Sequence, residues 1–124
     1  MDATLRFPPR PESVGRARHF VESFLDDSGQ RAGADVVVLL TSEVMTNAVT
    51  HAGPHDAATE LSLRIGCSDG RIRVEMHDHS EAMPVIGDGT TDGLSGRGIL
   101  LVESLAWAWG VSPSGAGKVV WFEV

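Results

Sequence analysis

The chain is poor in several things, and each scarcity narrows what it can be. It holds one cysteine, Cys67, in 124 residues, which excludes an internal disulfide and with it the staple of a small secreted domain. No apolar run approaches the roughly 18 residues that a membrane-spanning helix needs. The opening stretch MDATLRFPPRPESV has no apolar signal core, so neither export nor membrane insertion is expected and a cytoplasmic location follows. Positive charge is scarce as well: 10 Lys+Arg stand against 17 Asp+Glu, a formal net charge of −7. A protein that grips nucleic acid does so through clusters of Lys and Arg that displace counterions. This chain has none, so direct nucleic-acid binding is not expected. GxSxG, HExxH and GxxxxGK(S/T) patterns are all absent, which leaves the common hydrolase and P-loop readings without support.

What is present suffices for a core. With 42% hydrophobic and 22% charged residues, the chain is expected to fold as a single domain over residues 1–124, burying roughly two-thirds of its unfolded surface. Thr4 to Phe7 alternates polar and apolar residues and stops at Pro8-Pro9, the pattern of a short edge strand. Residues 12–28 carry Val14, Ala17, Phe20, Val21, Phe24 and Leu25 at three- and four-residue spacings, a helix closed by Ser28-Gly29. A second helix is predicted over 35–52, capped by Asp35, ended by Gly53-Pro54, and buried through Val36, Leu39, Leu40, Val44 and Ala48. Residues 60–67 and 71–78 alternate with period two around Ser68-Asp69-Gly70, an antiparallel hairpin. After a glycine-rich stretch over 79–98 come a short helix at 99–105 and two strands at 107–111 and 118–124. The expected fold class is α+β: a two-layer α/β sandwich whose mixed, mostly antiparallel sheet carries helices on one face. A loop as long as 79–98 is uncommon in a compact domain unless it serves as a functional lid.

Three groups of residues carry chemistry. Glu43 and Asn47 lie four apart on the second helix, with His51 continuing the same line. A carboxylate and an amide so placed offer oxygen to Mg²⁺ and a base to a hydroxyl. Asp78 closes an alternating strand, where a carboxylate accepts a hydrogen bond from an amino group such as that of adenine. Gly96-Arg97-Gly98 precedes the helix at 99–105, and glycines, outward-facing N–H groups and a guanidinium together favour phosphate oxygens. Each group alone has a plainer reading, as a solvated helix face, a turn residue or an ordinary loop. The weight lies in the combination. Trp107, Trp109 and Trp121 alternate within strands and are read as sheet-face packing.

In order and spacing, Glu43-xxx-Asn47-xxx-His51-Ala52, then Asp78, then Gly96-Arg97-Gly98 resemble the Bergerat-type (GHKL) ATP-binding fold. Within that fold the chain looks like the single-domain anti-sigma-factor serine/threonine kinases, the RsbW/SpoIIAB-like group. The resemblance extends to GRGILLVESLAWAWGV and to the closing GKVVWFEV. It implies ATP and Mg²⁺ as cofactors, with Asn47 as the metal-holding residue, Glu43 as the general base, Asp78 on the adenine amino group, and His51, Gly96, Arg97 and Gly98 in the cofactor-binding site. It further implies a sigma factor and a STAS-domain anti-anti-sigma factor as protein partners, and a homodimer. After Asp78 the family places glycine at the second and fourth following positions, where this chain has Ser80 and Ala82. That departure motivates an alternative, a regulatory binding module of the same fold that is gated by ATP or has lost catalysis.

Overall fold

A computed structural model describes residues 1–52, 60–78, 96–114 and 117–124. Eight elements follow in the order β1 (Asp2–Phe7), α1 (Glu12–Asp27), α2 (Ala34–Ala52), β2 (Leu61–Ser68), β3 (Arg71–Asp78), α3 (Gly96–Leu105), β4 (Ala108–Ser114) and β5 (Gly117–Glu123). The strands form one sheet in the order β1-β2-β3-β5-β4, and each of its ladders is antiparallel. The α+β architecture expected from the sequence is therefore present, with β1 at one edge and β4 at the other.

Local chemistry sets the element ends. Ser13 Oγ donates to the Pro8 carbonyl at 2.6 Å, tying the proline turn to the start of α1. At the other end Gly29 takes φ +73°. Its N–H bonds the Asp26 carbonyl while the Gln30 N–H bonds that of Leu25, the paired closure that a left-handed glycine makes possible. The β2–β3 hairpin turns on Asp69 and Gly70, both at positive φ, so its two-residue loop matches the strand twist. The start of α2 differs from expectation. Gly33, at φ +78°, accepts the first helical bond from Val37, and Asp35 lies inside the first turn, where its charge favours the positive helix end.

One face of the sheet is the core face. Ile72, Val74, Met76 and Asp78 of β3 alternate inward, as do Lys118, Val120 and Phe122 of β5. Phe7, Leu61, Leu63 and Ile65 continue the layer, which α1 covers with Ala17, Val21, Phe24 and Leu25. The buried stripe of α2 is Val37, Leu40, Val44, Met45 and Ala48. Val36 is only half-buried and Leu39 is 41% exposed, so two residues expected in the stripe lie outside it. The run Val36 to Leu40 is apolar in every direction around the helix, and periodicity cannot set its phase.

Among the described residues the opposite face carries no helix and is lined by charged side chains. Arg73 bonds Glu75 and Glu123, each at 2.8 Å, and His77 Nε2 lies 3.0 Å from Glu75 Oε1. Arg73 also stands over the Trp121 ring, 4.2 Å from its centre, a cation–π contact that adds to the ion pairs. Trp107 falls just outside β4 and is 64% exposed, with the Arg71 guanidinium 3.4 Å from its ring centre. Gly110 lies opposite Trp121, and a Cβ there would come within 2.8–2.9 Å of the indole. Gly110→Ala is expected to destabilise the fold by about 1–3 kcal/mol through overpacking. An unchanged denaturation midpoint would contradict this.

Burial pushes the Glu75 carboxyl up, but the hydrogen bonds from Arg73 and His77 outweigh it and hold its pKa below the ordinary 4.5. A depressed folded-state pKa contributes stability that is present above the unfolded value and is lost as pH falls through the folded one. Acidification below about pH 4.5 is therefore expected to lower the thermal midpoint. The loss should be smaller in Glu75→Gln, and an equal loss in both proteins would argue against a contribution from this network.

Candidate functional site

The chemistry-bearing residues lie on three elements that meet. Helix α2, which carries Glu43 and Asn47, packs against β3, which ends at Asp78, and against α3, which begins at Gly96. Asn47 is 7% exposed, a buried amide on the same helix as the apolar stripe. Its Nδ2 donates to the Glu43 carbonyl at 3.0 Å, which turns its Oδ1 away from the helix backbone. Glu43 itself is half-buried. The α2 backbone stays helical through Ala52 and includes His51, whose side chain lies outside the described residues.

Asp78 ends the inward series of β3, and its side chain is 3% exposed. A carboxylate at such depth needs compensation. It comes from a residue that the sequence reading did not single out: Lys118 Nζ lies 3.6 Å from Asp78 Oδ2, with its side chain 7% exposed. The two residues face each other in the β3–β5 register. Lys118 is the chain's one lysine. The strand GKVVWFEV has apolar residues on both of its alternating faces, so nothing in the pattern showed that Lys118 points inward.

Gly96, Arg97 and Gly98 do not stand ahead of a helix but form the first turn of α3. The first-turn N–H groups of a helix have no partner within it and carry the positive end of its dipole. The glycine turn is thus part of the helix start rather than a hinge before it. The side chain of Arg97 lies outside the described residues, as do Ser80, Ala82 and the rest of 79–95.

Oxygen donors of the kind Mg²⁺ prefers are present in the Glu43 carboxylate and the Asn47 amide. Among the described residues no three His, Cys, Asp or Glu side chains gather as a metal cluster. A Mg²⁺ that is bound mainly through substrate phosphates and one or two protein oxygens does not require one. The amide orientation set by the Glu43 carbonyl fits such a cation, because it places oxygen rather than nitrogen away from the helix.

Residues 7–124 match the sequence profile of the histidine kinase-like ATPase domain. The chain belongs to this family. It is similar to the serine-protein kinases RsbW of Bacillus licheniformis and Bacillus subtilis, each 29% identical over 114 aligned residues that cover 82% of this chain and 71% of the relative. Its fold is similar to that in a Mycobacterium tuberculosis protein containing RsbU and RsbW domains, with a TM-score of 0.75 over 99% of this chain at 15% identity. This chain spans 32% of that longer one. The RsbW likeness expected from the sequence and the Bergerat-type fold are both supported by these matches. Among the described residues no helix is long and apolar enough to cross a membrane.

Proposed function

We propose that this histidine kinase-like ATPase domain is an anti-sigma-factor serine/threonine kinase that acts in the cytoplasm. It sequesters a sigma factor, and so regulates transcription, and it phosphorylates a STAS-domain anti-anti-sigma factor from Mg·ATP. The observation that supports this reading is the packing of α2 against β3 and α3, the elements that bear buried Asn47, buried Asp78 and a glycine-led helix start. The likeness to serine-protein kinases directs it toward a hydroxyl acceptor.

In this reading Asp78 accepts a hydrogen bond from the adenine amino group. Asn47 offers its oxygen to Mg²⁺, and Gly96, Arg97 and Gly98 hold the phosphates at the positive end of α3, with His51 on the same side of α2. Mg²⁺ supplies charge neutralisation on the phosphates. Glu43 takes the proton of the acceptor hydroxyl, whose oxygen forms the new bond to the terminal phosphorus as the bond to ADP breaks. Such transfer depends chiefly on positioning, and two half-buried or buried side chains one helical turn apart provide it.

Incubation with terminally labelled ATP and a STAS-domain protein tests the proposal. Label is expected on a serine or threonine of the STAS protein and in a ratio to protein that approaches one. Tight ATP binding with no transfer to any STAS partner would instead support the ATP-gated binding module.

A further inference from the structure

Strand β1 forms one edge of the sheet, and among the described residues only β2 pairs with it. The Cys67 N–H bonds the Met1 carbonyl at 3.0 Å, and Met1 continues the register that sets Ala3 opposite Ile65, Leu5 opposite Leu63 and Phe7 opposite Leu61. In an antiparallel ladder the residues that exchange backbone bonds recur at every second position. The odd positions of β1 therefore direct their backbone groups at β2, and the N–H and C=O groups of Asp2, Thr4 and Arg6 point to the free edge. Asp2, Thr4, Leu5 and Arg6 are all exposed, and Leu5 is a large apolar side chain left 37% exposed. Arg6 has no ion-pair partner among the described residues. Such an edge is a template for another strand unless something blocks it. Strand β4, at the other edge, carries Pro113, which has no N–H to donate. Strand β1 has no proline.

We propose that β1 pairs antiparallel with β1 of a second copy of this chain, with Thr4 on the two-fold axis, so that the two sheets become continuous. A two-fold contact requires one strand to be its own complement, and Asp2–Phe7 meets that requirement. Asp2 faces Arg6 of the second copy and Arg6 faces its Asp2, opposite charges across the ladder on the outer sheet face. Asp2 already holds Arg64 at 2.8 Å on that face, and a carboxylate has acceptor positions for both partners. On the core face Leu5 is covered by Ala3 of the second copy. The register follows from the backbone as well. Centred on Thr4, every outward N–H and C=O of Asp2, Thr4 and Arg6 finds a partner. Centred on Ala3, the pairing leaves the outward groups of Arg6 unmatched, and centred on Leu5 it sets Asp2 opposite Pro8, which cannot donate.

Sedimentation equilibrium of the chain and of β1 variants tests this pairing, which is independent of the nucleotide site. The wild type is expected to show a reversible monomer–dimer equilibrium, weak as befits a small interface. Thr4→Pro removes an N–H from the free edge and none from the β1–β2 ladder, so it should weaken the dimer at least about tenfold and leave the circular dichroism of the fold in place. Arg6→Asp sets like charges opposite each other and should weaken it by about tenfold. Adding Asp2→Arg to Arg6→Asp restores opposite charges and should recover dimerisation, which a merely structural role of Arg6 would not produce. A wild type that stays monomeric up to about 1 mM overturns the inference. So does a dimer of unchanged strength in Arg6→Asp, or in a folded Thr4→Pro, because that dimer uses another surface. If Thr4→Pro fails to fold, the charge variants decide, and no recovery in the exchanged pair overturns the register.

Discussion

Glu43→Ala is expected to slow phosphate transfer to a STAS-domain partner by about 10²- to 10⁴-fold, the range for loss of a positioned general base. Mg·ATP affinity should change little. The separation follows from how α2 is built. The Asn47 amide is anchored on the backbone carbonyl of Glu43, not on its carboxylate, so removing the side chain leaves the anchor in place. A half-buried carboxylate on a stable helix is also a position where truncation leaves the core intact. Glu43→Gln, which keeps shape and loses basicity, should be impaired to a similar degree. Single-turnover transfer rates with equal ATP occupancy measure this directly, and undiminished transfer in Glu43→Ala would remove Glu43 from the reaction.

Asp78→Ala is expected to fail in two separable ways. It removes the acceptor for the base amino group, so ATP affinity should fall by more than about 100-fold. It also leaves the Lys118 ammonium without the carboxylate that faces it, and breaking a buried pair from one side costs about 3–5 kcal/mol of stability. Adding Lys118→Met to Asp78→Ala should recover most of the stability and none of the ATP binding. If the double variant regained ATP binding as well, Asp78 would be a structural residue and the base would be recognised elsewhere.

Much of this arrangement was legible in the sequence because its signals were local. The hairpin turn at Asp69-Gly70, the glycine end of α1 and the alternation of β3 each depend on a few adjacent residues, and the structure forms all three. That Glu43 and Asn47 lie one turn apart on a helix and that Asp78 closes a strand was legible through spacing, since a helix and a strand fix which side chains share a face. Other features were not local. The phase of α2 was hidden by the uninterrupted apolar run Val36 to Leu40, and only packing against the sheet selects Val37 over Val36. The start of α3 was placed three residues late because glycines weaken a helix, whereas here the turn Gly96-Arg97-Gly98 is already helical. The strand predicted over 107–111 stops short of Pro113, yet on an edge strand a proline needs no inward donor, and β4 runs through it. Lys118 was invisible for a different reason. Its meaning depends on the residue across the β3–β5 ladder, forty positions earlier in the chain.

An acidic protein that holds a polyphosphate needs its positive potential concentrated at the site. Among the described residues, Glu75 and Glu123 on the outer sheet face are paired with Arg73. Along the core face the one lysine balances Asp78. In the proposed site, positive potential for phosphates comes from the start of α3 and from Mg²⁺ held with Asn47.

The proposed Mg·ATP site lies where α2 packs against β3 and α3. Calorimetric titration of Mg·ATP into the wild type and into Asn47→Ala addresses it most directly. Saturable one-to-one binding by the wild type, weakened at least about tenfold in Asn47→Ala as expected for loss of a metal-holding oxygen, is the predicted result. Absence of binding in both proteins, or equal binding in both, would contradict the account.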